Sequence, residues 1–237
     1  MLTPFPTPPI RSPRAAEVAR LFGLRAPAVT TPSSTDPADA RSILPPPGTI
    51  TLVTGPSGSG KSSLLRAARA ASQPTGVRWL DLDRVRPPDV PLVDAFDGLA
   101  LNDALDLLAR VGLAEAWTWL RTPAELSAGQ RWRLRLALGL HRSRRRKGRT
   151  TFLADEFAAL LDRVTACVLA RALRRAVRAP LSAVVATSHE DLTRALAPDL
   201  IVRCDFGSVT TERCDPVRES EQPRVQHEAP QDAEHDG

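Results

Sequence analysis

One octapeptide constrains this chain more than any other feature. Gly55-Pro56-Ser57-Gly58-Ser59-Gly60-Lys61-Ser62 fits the pattern G-x-x-x-x-G-K-[ST]. It follows a short β-rich run, Thr49 to Thr54, and precedes a segment, Ser62 to Ala71, that reads as a helix. Each residue type has a physical reason. The glycines at 55, 58 and 60 let the backbone wrap closely, so that several N–H groups point at phosphate oxygens. The helix adds the partial positive charge of its N-terminus. Lys61 is placed to reach the β- and γ-phosphates of a nucleotide, with the Ser62 hydroxyl on Mg²⁺ and Ser63 beside it. A chance Gly/Ser-rich turn would lack the strand before it and the helix after it.

A second element completes such a site. Thr150-Thr-Phe-Leu-Ala-Asp155-Glu156 is an apolar strand ending in two carboxylates. At the tip of a strand beside the phosphate loop, Asp155 is expected to hold Mg²⁺ through its water shell. Glu156 is expected to orient and deprotonate the attacking water. Alone, an Asp-Glu strand end is more often simply solvated; the phosphate loop upstream reverses that reading.

Between these two elements lies Leu126-Ser127-Ala128-Gly129-Gln130, followed by RWRLRLALGL, and this stretch resembles the signature and signature helix of the ABC-type ATPases. Ala128 replaces one glycine of that family's pattern. Phe157 to Asp162 resembles the family's D-loop and keeps its Leu-Asp end. Thr187-Ser188-His189 closes a further apolar run as the family's switch histidine does. The resemblance covers roughly residues 49–204. It implies ATP and Mg²⁺ as ligands, ATP hydrolysis with Glu156 and His189 as catalytic residues, and a head-to-tail homodimer. In that dimer Ser127, Ala128, Gly129 and Gln130 would face the γ-phosphate held by the other protomer.

Three departures qualify the likeness. The family's Gln after the second strand is missing; Gln73 comes too early, and Asp94, in PLVDAF, is the candidate substitute at the metal, its competing reading a solvated loop acid. No aromatic residue is evident for adenine: the chain has no Tyr, Phe22 is a poor candidate, and GTP stays open. The span from Lys61 to Ser127 is short, so the helical subdomain is small, which disfavours docking to a membrane permease. The short layout also resembles the ATPase part of proteins in which such a domain is fused to an acetyltransferase.

The rest of the chain sets the frame. Apolar residues make up 42% of 237 and aromatics only 4%, so the core must be built from Ala, Leu and Val. Apolar runs without alternation, interleaved with helices, predict an α/β P-loop NTPase of ABC type: a largely parallel sheet, helices on both faces, and a small helical subdomain at about 95–145. Residues 1–47 read as a Pro-rich, mostly irregular arm with a short helix near Ala15 to Leu24. Residues 48–207 read as the ATPase domain, and residues 208–237 as a polar tail expected to be disordered.

Cys167, Cys204 and Cys214 show no CxxC spacing, which fits a reducing cytoplasm. No run of residues is apolar enough to span a membrane or to serve as a secretory leader. The formal charge is +5, and the run from His141 to Arg149 gathers Arg142, Arg144, Arg145, Arg146, Lys147 and Arg149. That run is either a nucleic-acid or polyanion contact or, preferred here, a solvated loop whose cations favour a helix C-terminus.

Overall fold

In a computed structural model, residues 12–23, 37–72, 76–145, 148–189 and 191–214 are described. Gln73, Arg146 and Lys147 lie outside them. The elements in chain order are α1 (Pro13–Leu21), α2 (Pro37–Ser42), β1 (Ile50–Thr54), α3 (Lys61–Ala71), β2 (Arg78–Asp81), α4 (Leu101–Arg110), α5 (Ala116–Trp119), α6 (Ala128–Arg145), β3 (Thr150–Ala154), α7 (Arg163–Ala176), β4 (Leu181–Ala186), α8 (Leu192–Leu196), β5 (Leu200–Asp205) and β6 (Ser208–Arg213).

The strands form one sheet in the order β2-β3-β4-β1-β5-β6, parallel except for the antiparallel β5–β6 pair. Successive side chains of a strand point to opposite faces, and both faces are covered here. Ile50, Leu52, Phe152, Ala154, Ala183 and Val185 enter the larger core under α4, α6, α7 and α8. Val53, Leu153, Val184 and Ala186 enter a second core with Leu64, Leu65 and Ala68 of α3. This two-sided burial is why the strands read as continuous apolar runs. Asp199 pins the layers together: its Oδ2 accepts the Ile50 N–H at 2.8 Å and an Arg174 N–H from α7 at 2.8 Å.

Several expectations change. β3 does not adjoin the phosphate-loop strand, because β4 lies between β1 and β3. The arm is not all irregular: α2 forms, and Ile43 just after it is fully buried in the α3-side core. The expected disordered tail begins with a strand instead, β6, which pairs with β5 from Asp205↔Ser208 to Leu200↔Arg213. Val209, Thr210 and Thr211 have the β-branched side chains that suit such an edge. The cationic run is also not all loop, since Arg142, Arg144 and Arg145 form the last turn of α6. There Arg142 donates to the Arg86 carbonyl at 3.0 Å and Arg145 to the Asp97 carbonyl. Among the described residues, no helix is long and apolar enough to cross a membrane.

Candidate active site

The parallel strands all deliver their C-terminal ends to one edge of the sheet, and the chemistry gathers there. Ser57, Gly58, Gly60, Lys61, Ser62 and Ser63 line a cleft of about 360 Å³ together with Asp155, Glu156, Ala159, Thr187 and Ser188. Two loops and one turn, far apart in sequence, therefore meet around a single space.

The phosphate loop has the backbone that its glycines permit. Gly55 has φ +141°, and a Cβ there would stand 2.1 Å from the Cys204 carbonyl oxygen, so no other residue fits. Gly60 is left-handed at φ 101° and begins α3 without a side-chain cap, which leaves the first N–H groups of the helix open toward the cleft. The Lys61 ammonium donates to the carbonyls of Gly55 (2.8 Å) and Pro56 (2.7 Å), holding it over the loop. Ser59 is buried, and its hydroxyl has no hydrogen-bond partner among the described residues. Pro56 does not line the cleft.

At the end of β3, Asp155 Oδ1 accepts the Glu156 N–H at 3.0 Å. Glu156 itself is left-handed, with φ 47°, and exposed. For a residue with a Cβ this conformation is strained, and such strain persists only where its surroundings impose it. Phe157 supplies the constraint. It is fully buried, its ring meets Trp132 of α6 edge-on at 5.2 Å, and its N–H donates to the Ala186 carbonyl at 2.8 Å. The turn thus drives Phe157 into the core and leaves Glu156 facing the cleft. Thr187, which sequence reasoning passed over as a strand end, ties the two sides. Its hydroxyl donates to the Phe157 carbonyl at 3.4 Å and accepts the His189 N–H at 3.1 Å.

Not every expected residue joins the cleft. His189 is half-buried one position past the lining residue Ser188. Asp94 is exposed at the end of the short turn Leu92–Asp94 and lines no part of the cleft. Phe22 is 74% exposed at the end of α1 and is likewise absent from the lining. Ser127, Ala128, Gly129 and Gln130 open α6 away from it. Asp162 caps α7: its carboxylate accepts both the N–H and the hydroxyl of Thr165, and these bonds lower its pKa.

The donor set suits a hydrated Mg²⁺. A hydroxyl at Ser62 and carboxylates at Asp155 and Glu156 share one cleft with a phosphate cradle. Among the described residues, no three His, Cys, Asp or Glu form a metal cage of their own. Mg²⁺ is usually held in this way, through one or two carboxylates, waters and substrate phosphates.

The family model described as Novel STAND NTPase 1 matches residues 38–216. Lipoprotein-releasing system ATP-binding protein LolD of Maricaulis maris is 32% identical over 182 residues, covering 62% of this chain and 76% of that protein. Aliphatic sulfonates import ATP-binding protein SsuB of Delftia acidovorans is 33% identical over 176 residues, covering 67% of this chain and 70% of that protein. Among solved structures, the dimeric post-hydrolysis state of the ATP-binding cassette MJ0796, bound to ADP and Pi, has the same fold. Its TM-score is 0.50 at 20% identity, over 70% of this chain and 85% of that one.

Fold and cleft together define a P-loop NTPase. Within that class the chain belongs to the Novel STAND NTPase 1 family by its family model and to the ABC-type ATPases by its curated relatives. It is an ATPase.

Proposed function

We propose that this chain binds ATP with Mg²⁺ in the cleft at the sheet edge and hydrolyses it in a dimer of two copies. The observation that carries this reading is the meeting of Lys61 and Ser62 with Asp155 and Glu156 around one cleft. The open N–H groups at the start of α3 and the Lys61 ammonium bind the phosphates. Ser62 and Asp155 would hold Mg²⁺, which when bound neutralises phosphate charge. Glu156 accepts the proton of the attacking water, and its exposed, left-handed position presents the carboxylate to solvent-borne water. His189 contacts the γ-phosphate when the strand end beyond Ser188 adjusts.

The site is incomplete in one chain. Ser127 to Gln130 contribute nothing to the cleft, which suits a signature that acts on the other copy's nucleotide. Closure would then be driven by ATP bridging two surfaces and reversed by hydrolysis. Light scattering of Glu156→Gln with and without MgATP tests this: a dimer appearing only with MgATP is expected, and a monomer under both conditions overturns it.

A second reading is favoured by the relatives, which are named as ATP-binding proteins of lipoprotein release and of aliphatic sulfonate import. On that reading the chain serves a membrane partner. Trp117 and Leu120, 79% and 63% exposed on the helical segment, would supply an apolar contact. Co-purification of a membrane protein that is lost in Trp117→Ser would support it. A nucleic-acid contact by the cationic run has less behind it, because Arg142 and Arg145 already hold carbonyl groups of their own chain.

A further inference from the structure

The N-terminal ends of the parallel strands lie at the edge of the sheet opposite the cleft, and cations gather there. Arg149 precedes β3, and its carbonyl accepts the N–H of Arg78, the first residue of β2, at 3.1 Å. Arg178 leads into β4. Its carbonyl accepts the Leu181 N–H at 2.8 Å, and its neighbour Ala179 lies against Gly48, just before β1. All three arginines are exposed, and none of their guanidiniums has a hydrogen bond or ion pair among the described residues. Asp199, the acid just before β5, is already engaged by the Ile50 N–H and Arg174. The edge therefore carries unpaired positive charge.

A groove of about 290 Å³ opens beside these cations. Leu44, Pro45, Pro46, Pro47 and Val77 give it apolar walls, and Arg149 lines it as well. The chain supplies a segment of matching chemistry. β6 runs antiparallel to β5 and so returns to this same edge, where the Cys214 N–H donates to the Asp199 carbonyl at 3.1 Å. Residues 215–237 therefore start from the cationic edge. They carry seven acids against Arg218 and Arg224, and from Glu228 to Asp236 four acids stand with no Lys or Arg. Within that stretch Ala229 and Pro230 offer small apolar surface to a proline-walled groove. Reach is ample. β3 lies three strand steps from β5, about 14 Å at the usual spacing, whereas residues 215–227 can extend to about 40 Å.

We propose that residues 228–236 dock on this edge of their own chain, with Ala229 and Pro230 against Pro45–Pro47 and the flanking carboxylates facing Arg149, Arg78 and Arg178. The contact is an intramolecular cover: a tethered acidic segment competes with any outside polyanion for the same guanidiniums. It lies across the sheet from the nucleotide cleft and stands independently of the ATPase reading.

The test uses the full chain. Arg149→Lys places an amine in the groove, and Lys61, at the opposite edge, is the internal control. Treated with a water-soluble carbodiimide, the Arg149→Lys monomer should form amide links from residue 149 to Glu228, Asp232, Glu234 or Asp236, mapped by peptide mass spectrometry. Lys61 should form none of them, and high salt should weaken the links at residue 149. A fluorescent heparin oligosaccharide serves as the outside polyanion. Replacing Glu228, Asp232, Glu234 and Asp236 with Gln or Asn should tighten its binding about tenfold at low salt, as loss of a tethered competitor does. Adding Arg149→Glu should cancel most of that gain. Links that reach Lys61 as readily as residue 149, links formed only between chains, or native heparin affinity in the four-acid variant overturns the proposal.

Discussion

Ser127 and Gln130 hold each other at the start of α6: the Gln130 N–H donates to Ser127 Oγ at 3.2 Å, and Gln130 Oε1 accepts the Ser127 N–H at 3.0 Å. This is a reciprocal helix cap, so the signature has a structural duty within its own chain as well as the role proposed in the partner's site. Two substitutions separate the duties. Ser127→Ala should cost about 1 kcal/mol of stability by loss of the cap, and ATP turnover should fall with it. Ser127→Asp keeps a capping oxygen and should keep native stability, yet lose turnover, because a carboxylate would face the γ-phosphate across the dimer. Full turnover in Ser127→Asp would show that the signature is only a cap.

Lys61 tests the cradle. Among the described residues its ammonium bonds to the Gly55 and Pro56 carbonyls, so Lys61→Ala should lower the melting temperature as these two bonds are lost, and should weaken nucleotide binding as well. Charge-assisted hydrogen bonds contribute about 1.5–3 kcal/mol each. ATP affinity, followed by titration with a fluorescent nucleotide, should therefore drop roughly 10- to 100-fold.

Gly139 lies inside α6, where alanine would ordinarily gain up to about 1 kcal/mol in helix propensity. Here a Cβ would stand 2.8 Å from the Phe152 ring and 3.3 Å from Leu80. Phe152 is fully buried and cannot retreat. Gly139→Ala is expected to destabilise the chain by about 1–3 kcal/mol, the usual cost of overpacking, as read by urea unfolding. A stabilised variant would mean that α6 sits further from the sheet than described.

His141 sets an acid limit. Burial holds its imidazole below the usual histidine range, and Arg145 and Arg142 push the same way against Asp97. The folded chain thus prefers neutral His141, whereas the unfolded chain takes up a proton near the ordinary value of about 6.5. The stability this contributes is complete above that value and is lost as pH falls through the depressed folded pKa. Urea midpoints should decline from neutral pH into the acid range for the native chain, and less steeply for His141→Gln. Equal slopes would remove His141 from the account.

Much of this was legible in the residues because phosphate chemistry permits few alternatives. Ser57, Gly58, Gly60, Lys61, Ser62 and Ser63 of the loop and the pair Asp155–Glu156 line one cleft. The parallel sheet was readable because strands buried on both faces carry mostly apolar residues without polar alternation, as Ile50–Thr54 and Leu181–Ala186 do, every position of which is buried. Other features depend on pairing that local patterns do not encode. The insertion of β4 between β1 and β3 is a matter of topology, and β6 is polar enough to pass for a tail because it has one neighbouring strand and only Val209 of it packs against a core.

Steady-state ATP hydrolysis in Mg²⁺, compared between the native chain and Glu156→Gln, tests the catalytic cleft most directly. General-base catalysis contributes about 10²- to 10⁴-fold. The substitution should remove turnover by that factor while ATP binding persists, since Glu156 holds none of the phosphate cradle. Native turnover in Glu156→Gln, or a native chain that binds ATP and never hydrolyses it, would contradict the claim that this cleft is the catalytic centre.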